Sequence, residues 1–309
     1  MRPIVHNPAD ETAPATALGH DGAPKKRLEL RALHEVKRTL RNGSLHSVCE
    51  EARCPNRSEC FGRKTATFLA MGSVCTRACN FCSIATGRPG ALNPHEAQQI
   101  ARASAELGLR HVVVTSVNRD DLPDGGSEHL RNILAELKRQ DPSRTTEVLT
   151  PDFKGDLAAV DRVLDGQPDV FNHNLETVPS LYKTVRPGAR YERSLEVLAH
   201  AVRHGKPLVK TGVMVGLGES LDELDMIFRD VARAGIQIFT LGQYFQPTKD
   251  QLPVLHYWSA AQFDEARARA KAAGIPYVYS GTFVRSSYNA DEVFAAIGQG
   301  RFDTLSSVA

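Results

Sequence analysis

All six cysteines of the chain lie between residues 49 and 82, in CEEARCPNRSECFGRKTATFLAMGSVCTRACNFC. They form two triplets: Cys49, Cys54 and Cys60 spaced C-x4-C-x5-C, then Cys75, Cys79 and Cys82 spaced C-x3-C-x2-C. Ordinary buried thiols have no reason to cluster this way. Disulfides need an oxidising compartment, and the N-terminus carries no export signal. Metal binding remains. Closed zinc sites take four ligands, often from paired C-x2-C knuckles. Each triplet here offers three thiolates, with one C-x2-C between Cys79 and Cys82. Two cubane iron–sulfur clusters, each held by three cysteines, fit better, with a zinc loop as the alternative. A cubane usually takes four cysteines. Three leave one iron open, and an open iron can do chemistry.

The second triplet, with Phe81 before its last cysteine, resembles the signature of the radical S-adenosylmethionine superfamily. That resemblance implies an open iron chelated by S-adenosylmethionine. Reductive cleavage of the sulfonium would then give a 5′-deoxyadenosyl radical.

The elements that must position these thiols are legible in outline. The 309 residues carry 41% hydrophobic and 24% charged side chains, the pattern of a soluble globular protein. A net charge of +2 argues against bulk electrostatic binding of nucleic acid. No apolar run reaches membrane-spanning length. Residues 1–26 read as a disordered Pro/Ala/Gly-rich arm, containing acids that a transit peptide would lack. A cytoplasmic location is the expectation. Residues 27–65 hold a basic amphipathic helix, stopped near Asn42-Gly43, and the first triplet. Strands are expected at 66–71, 111–117, 146–151, 170–176, 207–215 and 237–242. Helices alternate with them, the first from Pro94 with Asn93 as its cap. Repeated βα units imply a parallel sheet. The expected fold is α/β, a partial (β/α)6 TIM-like barrel over 66–276. A C-terminal extension over 277–309 carries RSSY at 285–288.

The segments after the strands are polar or glycine-rich: TSVNRDDLPDGG, TPDF, NHNLE, GLGES and GQYFQP. The functional face of such barrels lies at the strands' C-terminal ends. Thr115 and Ser116 could bond a polar ligand, or could belong to a solvated turn. Asn174 and Glu176 could meet a ribose, or could form a satisfied core network. His173 reads as structural. GVMVGLGE is no dinucleotide fingerprint, because Leu221 stands where the third glycine belongs. In RSSY, a serine oxygen is a candidate fourth ligand for a three-cysteine cluster, and a harder, less well matched one than thiolate.

Taken together, CEEARCPNRSEC, CTRACNFC, TSVNRDDLPDGG, EVLTPDF, DVFNHNLETVP, YERSLEVL, MVGLGE, GQYFQP and RSSY resemble the lipoyl synthase family, in order, from about Leu45 to Asp291. One departure is Asn289, where the family commonly has His. The resemblance implies two 4Fe-4S clusters and S-adenosylmethionine as cofactors. Cys75, Cys79 and Cys82 would hold the reducing cluster. Cys49, Cys54, Cys60 and Ser287 would hold an auxiliary one. Thr115, Ser116, Asn174, Glu176 and the Gly216 backbone would line the S-adenosylmethionine pocket. The reaction implied is insertion of two sulfurs, from the auxiliary cluster, at C6 and C8 of an octanoyl chain amide-linked to a carrier lysine. The implied partners are lipoyl carrier domains (2-oxoacid dehydrogenase acyltransferase subunits and the glycine-cleavage H protein). A ferredoxin- or flavodoxin-type reductant and an iron–sulfur cluster carrier complete the set. Two other readings stand beside it. A methylthiotransferase-like enzyme would be expected to append an RNA-binding domain, and the chain continues only about twenty residues past RSSY. An iron–sulfur electron-transfer or carrier protein would need no substrate cavity.

Overall fold

β-Branched apolar runs become strands and 3.6-period runs become the helices between them. The structure, a computed structural model, describes residues 17–18, 24–25, 30–63 and 66–303. The expected arm falls outside these, except for Ala17–Leu18 and Pro24–Lys25, which pair antiparallel.

One sheet contains β1 (His46–Ser47), β2 (Thr67–Ala70), β3 (His111–Ser116), β4 (Thr145–Leu149), β5 (Val170–Asn172), β6 (Leu208–Val215), β7 (Ile238–Gln243) and β8 (Tyr277–Gly281). Its spatial order is β8-β7-β6-β5-β4-β3-β2-β1. Strands β2 to β8 run parallel, and β1 pairs antiparallel with β2. All six expected strands are present in sequence order. Tyr277–Gly281 adds a seventh parallel strand, with Ile238 opposite Tyr277, so the segment beyond residue 276 begins inside the sheet. β1 and β8 do not meet, leaving the barrel open along one side.

The crossover helices are α2 (Glu96–Glu106), α3 (Ser127–Gln140), α4 (Leu157–Leu164), α5 (Tyr191–His204), α6 (Leu221–Arg233) and α7 (Ala260–Ala272). Leu130, Ile133, Leu134 and Leu137 of α3 share the main core with Val112 and Val114. Ser220 with Glu223, and Ser259 with Gln262, form capping boxes that set where α6 and α7 begin. α2 starts two residues later than Pro94. Asn93 turns its side-chain oxygen onto the His95 amide at 3.0 Å, making a separate turn ahead of the helix. The basic helix (Leu30–Asn42) precedes the sheet and buries Val36 and Leu40 against the core.

One buried polar cluster joins β4, β5 and β6. Lys210 lies 3.1 Å from both Glu147 oxygens, and Asn172 donates to the same carboxylate at 3.0 Å. All three side chains are buried. Burial works against the Glu147 charge, but Lys210 and His111 hold its pKa below the usual carboxylate range. His111 at the start of β3 stacks on Phe294 of the C-terminal helix (Ala290–Gly298), centroids 5.3 Å apart. That helix therefore covers the N-terminal end of β3.

Removing one partner of a buried ion pair strands the other charge without water. Lys210→Met should therefore cost about 3–5 kcal/mol in urea denaturation, and adding Glu147→Leu should recover much of the loss.

Candidate active site and cysteine cavity

The second cysteine triplet begins directly after β2. Met71 and Gly72 take left-handed backbone, at φ +66° and +88°, and turn the chain out of the sheet. Val74–Cys75 then pairs with Ala85–Thr86, closing the loop that contains Cys79 and Cys82. The loop is tied to segments that follow several different strands. Thr76 bonds the Asn118 carbonyl through both its amide and its hydroxyl, at 3.1 and 3.0 Å. Amides of Arg77 and Asn118 point at the Cys75 sulfur at 3.4 and 3.3 Å. Arg77 grips Asp120 bidentately at 2.6 and 2.8 Å and reaches Asp152 at 2.8 Å. Asn80 accepts from Leu252 and donates to the Val185 carbonyl, each at 3.0 Å, while Phe81 packs in an apolar cluster with Val185, Leu217 and Tyr244. Burial pushes the Cys79 thiol up to about 11 and Cys82 to about 12. Such thiols keep their protons until a metal displaces them.

Around the same mouth, buried polar atoms lack partners: Ser116 Oγ, Asn118 Oδ1, Asn174 Oδ1 and Arg186 Nε. Unsatisfied buried groups are rare in folded proteins, and several at strand tips suit a polar ligand. Asn174 donates to Glu176 at 3.1 Å and to Ser286 of RSSY at 3.3 Å. Burial raises the Glu176 pKa, opposed by Arg186 and Arg285. Two expected pocket residues are otherwise engaged. Thr115 turns its hydroxyl to the Leu149 carbonyl at 3.1 Å. The Gly216 amide donates to Glu219 at 2.6 Å, and its carbonyl accepts from Leu255. Glycine is required there for a packing reason: φ is +98°, and a Cβ would lie 2.2 Å from Gln243 Nε2. At Gly126 a Cβ would lie 2.2 Å from the Met71 sulfur, so the PDGG turn wraps the start of the cysteine loop. His173 is structural. Its Nδ1–H donates to the Thr150 carbonyl at 2.8 Å and Nε2 accepts from Ser194 at 2.9 Å.

The first triplet occupies a cavity shared with the far end of the chain. Cys49, Cys54 and Cys60 line it together with Arg285, Ser287 and Tyr288. Burial pushes the Cys49 thiol up to about 12. Four contacts hold RSSY over this segment. Asn56 donates to the Phe283 carbonyl at 2.6 Å, and Tyr288 donates to Glu59 at 2.9 Å. Arg63 donates to Asn289 at 2.9 Å and pairs with Glu292. Asn289, the departure from the family pattern, has φ +52°, a left-handed position that asparagine tolerates well. It also donates to the Tyr279 hydroxyl at 3.3 Å.

The sequence reading missed Arg77, Asp152, Arg186, Asn56, Glu59 and Arg63. The available signal for the first two was an arginine between cysteines of the second triplet and acids in two strand-tip loops. Asp152 is fully buried with Arg77 on one side and Arg193 at 2.6 Å on the other. Burial works to raise its pKa, but Arg77, then His173 and Arg193, hold it down from an ordinary 3.8 to about 2. A depressed carboxyl contributes stability above its unfolded pKa and loses it as pH falls through the folded value. Asp152 should thus contribute about 2 kcal/mol at neutral pH, vanishing between about pH 4 and pH 2. Asp152→Asn should lower stability at pH 7 and flatten that part of the acid-denaturation curve.

Residues 69–231 match the Radical SAM superfamily. The lipoyl synthase of Methylococcus capsulatus is 50% identical over 270 residues, covering 86% of this chain and 84% of the relative. That of Rubrobacter xylanophilus is 49% identical over 259 residues, covering 84% and 81%. Among solved structures, the hydrogenase maturase HydG of Carboxydothermus hydrogenoformans overlays with a TM-score of 0.53 at 15% identity, over 87% of this chain and 78% of that one. Streptococcus suis SuiB, solved bound to S-adenosylmethionine, gives 0.54 at 15% identity, over 69% and 49%. At such identities these two share the fold. The curated relatives carry more, since 49–50% of residues agree over 84–86% of this chain, and the chain belongs to the lipoyl synthase family of the radical S-adenosylmethionine enzymes.

Proposed function

We propose that this chain inserts two sulfur atoms, at C6 and C8, into an octanoyl chain amide-linked to a lysine of a lipoyl carrier domain. The observation that carries this reading is the cavity in which Ser287 meets Cys49, Cys54 and Cys60. An enzyme needing only a radical would have no use for a second set of iron ligands beside the mouth.

The donor sets fit the groups assigned to them. Cys75, Cys79 and Cys82 would hold a 4Fe-4S cluster with one iron open, and Cys49, Cys54, Cys60 and Ser287 would hold an auxiliary one. Bound to these residues, the first cluster with S-adenosylmethionine supplies a 5′-deoxyadenosyl radical and the second supplies sulfur, which opens methylene positions that no acid or base can. The residues of the chain do the rest by placement. Arg77, clamped by Asp120 and Asp152, fixes the loop of the second triplet against two strand tips. Ser116, Asn174 and Glu176 would orient S-adenosylmethionine. Thr115 and the Gly216 backbone shape the wall behind it, each already bonded within the protein. The Ser287 oxygen would be a harder donor to iron than the three thiolates beside it, and so the weakest-held ligand of the set. The Asn174–Ser286 bond joins the RSSY loop to the barrel mouth, so both sites share one wall.

The carrier domains served would be those of 2-oxoacid dehydrogenase acyltransferase subunits and the glycine-cleavage H protein. A small ferredoxin- or flavodoxin-type protein would deliver electrons, and a cluster carrier would restore the auxiliary site. All of this suits the cytoplasm; among the described residues no helix is long and apolar enough to cross a membrane.

Reconstituted protein should hold about eight irons per chain and add two sulfurs to an octanoyl-lysyl carrier peptide by mass spectrometry. Cys54→Ala should hold about four, still release 5′-deoxyadenosine, and give no sulfur-bearing product. Sulfur insertion by that variant would sink the reading.

A further inference from the structure

Arg285, the first residue of RSSY, lines the cysteine cavity beside Ser287. It is half-buried. Among the described residues no carboxylate lies within ion-pair distance of it. Its Nη1 donates to the Val284 carbonyl at 2.6 Å, which leaves most of the guanidinium donors unassigned. The guanidinium sits 5.3 Å above the centroid of the Phe245 ring, and Phe245 stacks in turn on Phe283 at 5.6 Å. Behind it the chain has no slack: a Cβ on Gly242 would lie 1.9 Å from the Val284 oxygen. Cys54 and Glu176, one in each site, would favour the charged form of Arg285 when ionised. An arginine held this rigidly, with donors to spare and no acid to meet them, is placed for an anion inside the cavity.

We propose that Arg285 is a positioning and tuning residue for the auxiliary cluster, whose guanidinium offsets the negative charge of three thiolates and a serine oxygen. The inference rests on the assignment of Cys49, Cys54, Cys60 and Ser287 made above. Cluster potentials follow net charge, hydrogen bonds to sulfur and exposure. A fixed cation stabilises the more negative, reduced cluster more than the oxidised one, so Arg285 raises the potential. It also lowers the cost of keeping an anionic cluster away from water. Its planar fork is pre-organised for this in a way a lysine is not.

The test uses the full chain with Cys75, Cys79 and Cys82 all changed to Ala, so that only the auxiliary site loads. Iron content, midpoint potential and the half-time of iron loss to a chelator are measured for this parent and with Arg285→Lys or Arg285→Gln added. The potential should fall in the order Arg, Lys, Gln, and the Gln variant should lose iron about tenfold faster, as expected for a missing charge-assisted hydrogen bond. A Gln variant that folds by circular dichroism but takes up no iron, while the Lys variant loads at a lowered potential, supports the same conclusion. Equal potentials and equal half-times in all three overturn the role of Arg285 and leave the cysteine assignment standing. A parent that loads no iron, with Arg285 in place, overturns the assignment itself.

Discussion

Residues more than two hundred apart in sequence must meet for this protein to have its cysteine–serine cavity. The Asn56–Phe283, Tyr288–Glu59 and Arg63–Asn289 hydrogen bonds each span more than 220 positions. Three thiols come from the segment before β2, and Ser287 comes from the segment after β8. These are neighbours because the open sheet curls its first and last parallel strands toward one side. The barrel is therefore the device that brings the two chain ends together. A closed barrel would pair β2 with β8 directly and leave no gap for the loops that carry Cys54 and Ser287.

Charge inside this fold is handled by enclosure in pairs. Asp152 has an arginine on each side, and Glu147 has Lys210 and Asn172. Each is buried, and each is held ionised by neighbours rather than by water. The thiols are the opposite case. Cys49, Cys79 and Cys82 are pushed up by burial, with no cation paired closely enough to reverse it. That contrast separates frame from site. The frame's buried carboxylates have their charge partners as folded, whereas the buried cysteine thiols stay protonated, with no partner that favours the thiolate enough.

The same contrast marks the mouth. Thr115 and Gly216 spend their polar groups on the protein itself. Ser116, Asn118, Asn174 and Arg186 retain buried atoms with none. Strand-tip position alone does not separate the two classes, because alternate residues of one strand end can serve the sheet or the lumen. Hydrogen-bond accounting separates them residue by residue.

Much of this was legible in the chain. Two cysteine triplets at their spacings, a run of βα units and a terminal RSSY determine the chemistry and the fold class, since ligand spacing and hydrophobic period are local properties. The six expected strands appear in order for that reason. Three features were not legible: the Arg77–Asp152–Arg193 clamp, the contacts that seat RSSY over Cys49 to Cys60, and the prior engagement of Thr115 and Gly216. Each depends on which groups the folded chain brings within hydrogen-bond distance. No local pattern encodes that meeting; the packing of the open sheet's strand ends against their flanking loops decides it.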